Sequence, residues 1–154
     1  MRTSGTTIIK AKKSRNHTEL LCKYLKLPII VKQNNKYDEI KIREVKKIKK
    51  LNYNIPSDIS SSAFFLVLTV LSNQSELVIK NININPTRLG IVHILTKMGV
   101  KINFYNKKKY KGEKTADVKI KSANSLKPIN CPVKYNSSAI DEFLLIFLVA
   151  AKAK

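Results

Sequence analysis

Apolar positions in this chain recur with two periods, and the changes of period mark out the elements. Thr6 to Lys10 is a short β-branched run that predicts a strand. Asn16, followed three residues later by Glu19, predicts a helix N-cap with a reaching carboxylate, and Leu20, Leu21, Tyr24 and Leu25 continue at helical spacing. Pro28 is expected to end that helix. Ile29-Ile30-Val31 starts a strand, and Ile40 and Ile42 alternate with charged residues in the next. Lys46 to Lys50 is a basic stretch expected to be a solvated edge or connection.

Tyr53-Asn54-Ile55-Pro56 is expected to be extended, since a residue before proline is pushed out of the helical region. Asp58 or Ser60 then caps an apolar helix from about Ser61 to Leu71, and Leu77-Val78-Ile79 is a strand. Asn85 and Pro86 fit the N-cap and first position of a further helix, carried by Leu89, Val92, Ile94 and Leu95 and closed by Gly99 in the left-handed region. Val100, Ile102 and Phe104 alternate as a strand, Lys107 to Lys111 reads as a basic loop, and Val118 and Ile120 mark another strand. A last helix is expected from near Ser138 through Val149, with no stop signal before Lys154.

The order strand, helix, strand, strand occurs twice, once around Thr18 and once around Thr87. Ser61-Ser62-Ala63 and Ser137-Ser138-Ala139 each lead into an apolar helix. Repeated units of this kind imply an α/β protein built from similar modules.

Charge adds one question. Lys and Arg number 30 against 10 Asp and Glu, a formal net charge of +20, which would suit a polyanion such as RNA or DNA. Only Arg2, Arg15, Arg43 and Arg88 are arginine, however, and base-reading surfaces favour the arginine fork. Lysine accompanied by abundant Asn and Ile is better read as the default solvent-facing residue. Cys22 and Cys131 form no metal or disulfide spacing and fit a reducing, cytoplasmic setting. No signal peptide is expected after Met1, and the apolar runs Ala63–Leu71 and Phe143–Ala151 are too short to span a bilayer.

Asp141 and Glu142 are the carboxylates of most interest. Ser138 and Asp141 fit a capping box, and acids in a first turn complement the helix dipole, so the residues alone favour a cap; the alternative is a general base at a helix start. Asp58 reads as a cap. His17 and His93 are isolated and no metal site is expected. Arg15 precedes a helix N-terminus, where it is either an anion contact or a surface residue. No Gly-rich phosphate loop or nucleophile elbow appears.

Four segments are recognisable together. Ser14-Arg15-Asn16-His17-Thr18-Glu19 resembles the S/T-R-D/N-H-T-E segment of EPSP synthases, the 3-phosphoshikimate 1-carboxyvinyltransferases. Ile55-Pro56-Ser57-Asp58-Ile59-Ser60-Ser61-Ser62-Ala63-Phe64 resembles their I-P-G-D-x-S-S-A-A-F. Asn85-Pro86-Thr87-Arg88 with Met98-Gly99 resembles N-P-T-R…M-G, and Ile140-Asp141-Glu142-Phe143 resembles I-D-E-F/L. The resemblance implies two similar lobes, an inside-out α/β barrel of βαβαββ units with the active site in the cleft. Residues 1–52 would close one lobe; 53–154 would form the crossing and the truncated start of the other.

The family transfers the enolpyruvyl group of phosphoenolpyruvate to the 5-hydroxyl of shikimate 3-phosphate and releases phosphate, with no metal or organic cofactor. By resemblance Asp141 is the proton acceptor and a substrate contact, Glu142 a neighbouring substrate contact, and Arg15 a contact near the substrate phosphate. Partners implied are those two substrates, with no membrane and no nucleic acid, and the full-length enzyme is expected to be a cytoplasmic monomer. Ser57 stands where the family has Gly. The family's opening G-N-A-G-T-T/S and S-x-Q segments and its later R-x-K-E-S-D-R segment find no match, so an internal fragment, inactive alone, is expected. The alternatives are a UDP-N-acetylglucosamine 1-carboxyvinyltransferase-like enzyme, which lacks the S-R-N-H-T-E signature, a basic nucleic-acid-binding protein, and an inactive structural remnant.

Overall fold

The computed structural model describes residues 5–45 and 47–154. In chain order the elements are β1 (Thr6–Lys12), α1 (His17–Tyr24), β2 (Ile29–Gln33), β3 (Tyr37–Arg43), α2 (Ile59–Leu71), β4 (Glu76–Asn83), α3 (Gly90–Lys97), β5 (Ile102–Tyr110), β6 (Glu113–Lys121) and α4 (Phe143–Ala150). Short 3-10 turns occupy Pro86–Arg88, Val133–Ser138 and Ile140–Glu142. The chain divides into two units: Met1–Asn54 with Tyr110–Glu113, and Ile55–Lys109 with Lys114–Lys154.

In the first unit β3 lies between β1 and β2, antiparallel to both. Its central residue Ile40 faces Ile9 on one side and Val31 on the other, so the alternating apolar positions meet on one face. The helix α1 ends at Tyr24, four residues before Pro28, and proline is not what stops it. Lys26 takes φ of 56°, its N–H reaches the Lys23 carbonyl, and the Leu27 N–H reaches back to Cys22, which is a Schellman closure built on a non-glycine residue. The Asn16 side chain makes no capping hydrogen bond, contrary to expectation. Of the basic stretch, residues 47–50 are exposed and irregular, and Lys46 lies outside the described residues.

The second unit has the sheet order β4-β6-β5. The β4–β6 register shifts between Ile79 and Ile82, and Asp117 secures the irregularity by accepting from the Asn81 N–H at 2.8 Å and the Asn106 amide at 2.9 Å. The core lies among α2, α3, α4 and this sheet, with Leu66, Ile91, Ile94, Val118, Ile120 and Val149 fully buried. The helix α2 begins two residues before the expected Ser61, because Asp58 caps it: its carboxylate accepts the Ser61 N–H at 3.0 Å. Gly99, at φ of 96°, closes α3 by the same bond pattern as Lys26, as expected. The opposite faces of α2 and α4 stay open: Phe64, Phe65, Leu68, Leu144, Phe147 and Leu148 are all more than half exposed.

Two further expectations fail in the second unit. Lys107–Lys109 form no loop; they are exposed positions of β5, where lysine is compatible with an edge strand. The connection shrinks to Lys111 and Gly112, at φ of 45° and 93°, the signs a two-residue hairpin turn requires. The last helix is also shorter than expected, running only from Phe143 to Ala150 and preceded by two 3-10 turns. Among the described residues no helix is long and apolar enough to cross a membrane.

Candidate functional site

Asp141 and Glu142 sit on the 3-10 turn Ile140–Glu142, one step before α4. The capping box does not form. The Ser138 hydroxyl donates back to the Tyr135 carbonyl at 3.1 Å, and no side chain caps the start of α4. Local competition of this kind explains the short helix: serine offers the backbone a bond that a continuous helix would not use. Asp141 is exposed, while Glu142 is only 2% exposed. The account of Asp141 as a cap therefore loses its geometric support.

The turn is seated on α3. A Cβ at Gly90 would lie 2.5 Å from the Ser138 carbonyl carbon and 2.6 Å from the Ala139 nitrogen, so only glycine permits this approach. Ala139 is fully buried, and Tyr135 stacks on His93 with centroids 5.3 Å apart. Gly90 and Tyr135 thus fix the backbone that presents Asp141, and neither stood out in the sequence pattern.

Upstream of α3, the buried Asn85 accepts from the Thr87 N–H at 3.0 Å and the Thr87 hydroxyl at 2.8 Å, capping the 3-10 turn Pro86–Arg88. Arg88 then reaches Asp58 at 2.5 Å and the Ser60 hydroxyl at 2.6 Å. Burial raises the Asp58 pKa, but the Ser61 N–H, Arg88 and the Ser61 hydroxyl outweigh it and hold this carboxyl below the ordinary range. Arg88 and Asp58 form a structural tie between the start of α2 and this turn.

Arg15 belongs to the first unit, in the irregular segment leading into α1, and is exposed. Two residues on, His17 opens α1, and its Nδ1 lies 2.5 Å from Oε1 of Glu113. The Glu113 side chain is only 7% exposed. A pairing across 96 residues leaves no local signal; the one visible hint is a lone glutamate directly after Lys111-Gly112 in a lysine-rich run. The structure brings Asp141 and Glu142 onto one turn of the second unit and sets Arg15 beside the α1 start of the first. Among the described residues no cluster of three or more His, Cys, Asp or Glu could hold a metal ion. Cys22 and Cys131 are both free thiols, and burial together with Glu19 pushes the Cys22 pKa up.

Known proteins match along the whole length. The family model for EPSP synthase (3-phosphoshikimate 1-carboxyvinyltransferase) matches residues 1–154. The 3-phosphoshikimate 1-carboxyvinyltransferase of Hydrogenovibrio crunogenus is 39% identical over 153 residues, covering 97% of this chain and 34% of the relative. That of Legionella pneumophila is 40% identical over 149 residues, covering 97% and 33%. The solved structure of EPSP synthase from Acinetobacter baumannii superposes with a TM-score of 0.85 at 34% identity, covering 99% of this chain and 34% of that one. The chain spans about a third of the length of these relatives. The matched motifs, the module order and the superposition agree on one conclusion: this chain belongs to the EPSP synthase family, with its α/β enolpyruvyl transferase fold.

Proposed function

We propose that this chain supplies part of the active site of an enzyme that transfers the enolpyruvyl group of phosphoenolpyruvate to the 5-hydroxyl of shikimate 3-phosphate. The observation that carries the reading is Asp141, exposed on a turn that glycine packing holds in place and that performs no capping. In the reaction the 5-hydroxyl oxygen bonds the enol carbon, that carbon's bond to the phosphate oxygen breaks as phosphate leaves, and the hydroxyl proton must pass to a base. Asp141 accepts that proton, as a positioned carboxylate can. Arg15 meets the phosphate of shikimate 3-phosphate with a guanidinium fork. The first unit closes one lobe and the second begins the other. The setting is the cytoplasm, which the free thiols suit, and the full-length enzyme acts as a monomer.

The test is a chimera in which residues 1–154 replace the matching third of the Legionella pneumophila relative. It is expected to release phosphate from phosphoenolpyruvate when shikimate 3-phosphate is present, and not with UDP-N-acetylglucosamine. A folded chimera that is silent with shikimate 3-phosphate, or that prefers the nucleotide sugar, overturns the proposal.

A further inference from the structure

We infer that Glu113 is a positioning residue for phosphate binding, acting through His17 on the segment that carries Arg15. This rests on the reading of Arg15 as a phosphate contact. The first observation is burial. A carboxylate with 7% of its side chain exposed is costly unless it is well hydrogen-bonded, and Glu113 meets His17 Nδ1 at 2.5 Å, the short separation of a charge-assisted bond.

The second observation is how the turn before Glu113 is built. Lys111 and Gly112 adopt positive φ, and a Cβ on Gly112 would lie 2.8 Å from the Leu20 carbonyl oxygen and 3.2 Å from Tyr24 Cβ. Turn and carboxylate therefore sit along the same helix: Glu113 at the first residue of α1, and Gly112 against its later turns. The third observation lies on the other flank. The Tyr110 hydroxyl accepts the Asn54 N–H at 3.0 Å, the Tyr53 and Tyr110 rings are 5.3 Å apart, and the Lys111 ammonium lies 5.8 Å from the Tyr53 ring centre and 5.2 Å from that of Tyr110. A turn fixed on both flanks holds its glutamate rigidly.

The consequence falls on the start of α1. Asn16 provides no side-chain cap there, so the bond from Glu113 to the His17 ring is a long-range anchor for that helix end. Arg15 is two residues away, and a guanidinium must be held in place to grip a phosphate with both its arms. With Nδ1 facing a carboxylate oxygen, His17 donates from Nδ1 to Glu113.

Steady-state kinetics of the chimera, together with nitrogen-15 spectra of the His17 ring in the 154-residue chain, test this. Glu113→Ala is expected to raise KM for shikimate 3-phosphate about tenfold, the loss of one charge-assisted bond, with kcat changed far less. Glu113→Gln, which keeps an acceptor oxygen, restores most of the KM and the Nδ1–H signal; His17→Gln raises KM as Glu113→Ala does, and gives the same reading from the other side should Glu113→Ala not fold. Glu113→Ala added to Arg15→Ala produces no further rise. If Arg15→Ala raises KM and both Glu113→Ala and His17→Gln leave it unchanged, the positioning role is wrong while the proposed function stands. If Arg15→Ala itself leaves KM unchanged, the phosphate reading of Arg15 fails, and the role of Glu113 fails with it.

Discussion

The run strand, helix, strand, strand is used twice, as β1-α1-β2-β3 and as β4-α3-β5-β6. Both copies place the third strand between the first and second. Both helices are followed by a left-handed residue, Lys26 in one and Gly99 in the other. Their burial differs sharply. In the first copy Ile8, Ile9 and Ile30 are each close to half exposed or more, and α1 buries only Cys22. In the second, Ile82, Val118 and Ile120 are fully buried, and α3 buries five residues. The difference lies in what surrounds each module, since the second unit adds α2 and α4 to its sheet. Strand order follows from the local apolar pattern and short connections, whereas core quality depends on layers supplied from elsewhere in the chain.

Substitutions at three glycine-type positions sharpen that contrast. The largest effect is expected at Gly90, which has no counterpart in the first copy, where α1 opens with His17. Gly90→Ala drives a methyl into the Ser138–Ala139 backbone and should lower unfolding stability by about 2–3 kcal/mol, read from urea midpoints. Gly99→Ala has room for its methyl but not the backbone angle, and should cost about 1 kcal/mol. Lys26→Gly should act in the opposite direction, stabilising by about 0.5 kcal/mol, because relief of the left-handed strain slightly exceeds the added freedom of the unfolded chain. Equal and opposite shifts at the two helix ends would leave the modules equivalent; a null result at Lys26 would show that the first copy tolerates this strain without cost.

Helix punctuation is legible in the sequence at some ends and not at others. Asp58 caps α2 and Gly99 closes α3 as their local signals imply, whereas Asn16 makes no side-chain cap and Asn85 caps the 3-10 turn Pro86–Arg88 rather than α3. Failures arose where local rules compete or where a contact is long-range. Ser138 had two possible partners, and the backbone carbonyl of Tyr135 won over a helix cap, so Asp141 was expected in a helix and lies on a 3-10 turn. The lysine row of Lys107 to Lys111 suggests a loop, yet Lys107–Lys109 lie in β5, because an edge strand tolerates a row of lysines that a central strand would not. The candidate site rests on motif resemblance at Arg15, Asp141 and Glu142. Gly90 and Glu113 contact residues distant in sequence, Ser138–Ala139 and His17, and leave no periodic trace.

The central claim is that this stretch carries the proton acceptor of an enolpyruvyl transfer, and Asp141→Asn in the chimera tests it most directly. The account predicts that phosphate release from shikimate 3-phosphate and phosphoenolpyruvate falls by about 10²–10⁴-fold in kcat, while the thermal midpoint stays close to that of the parent chimera. Turnover within a few-fold of the parent, in a folded Asp141→Asn chimera, would contradict it.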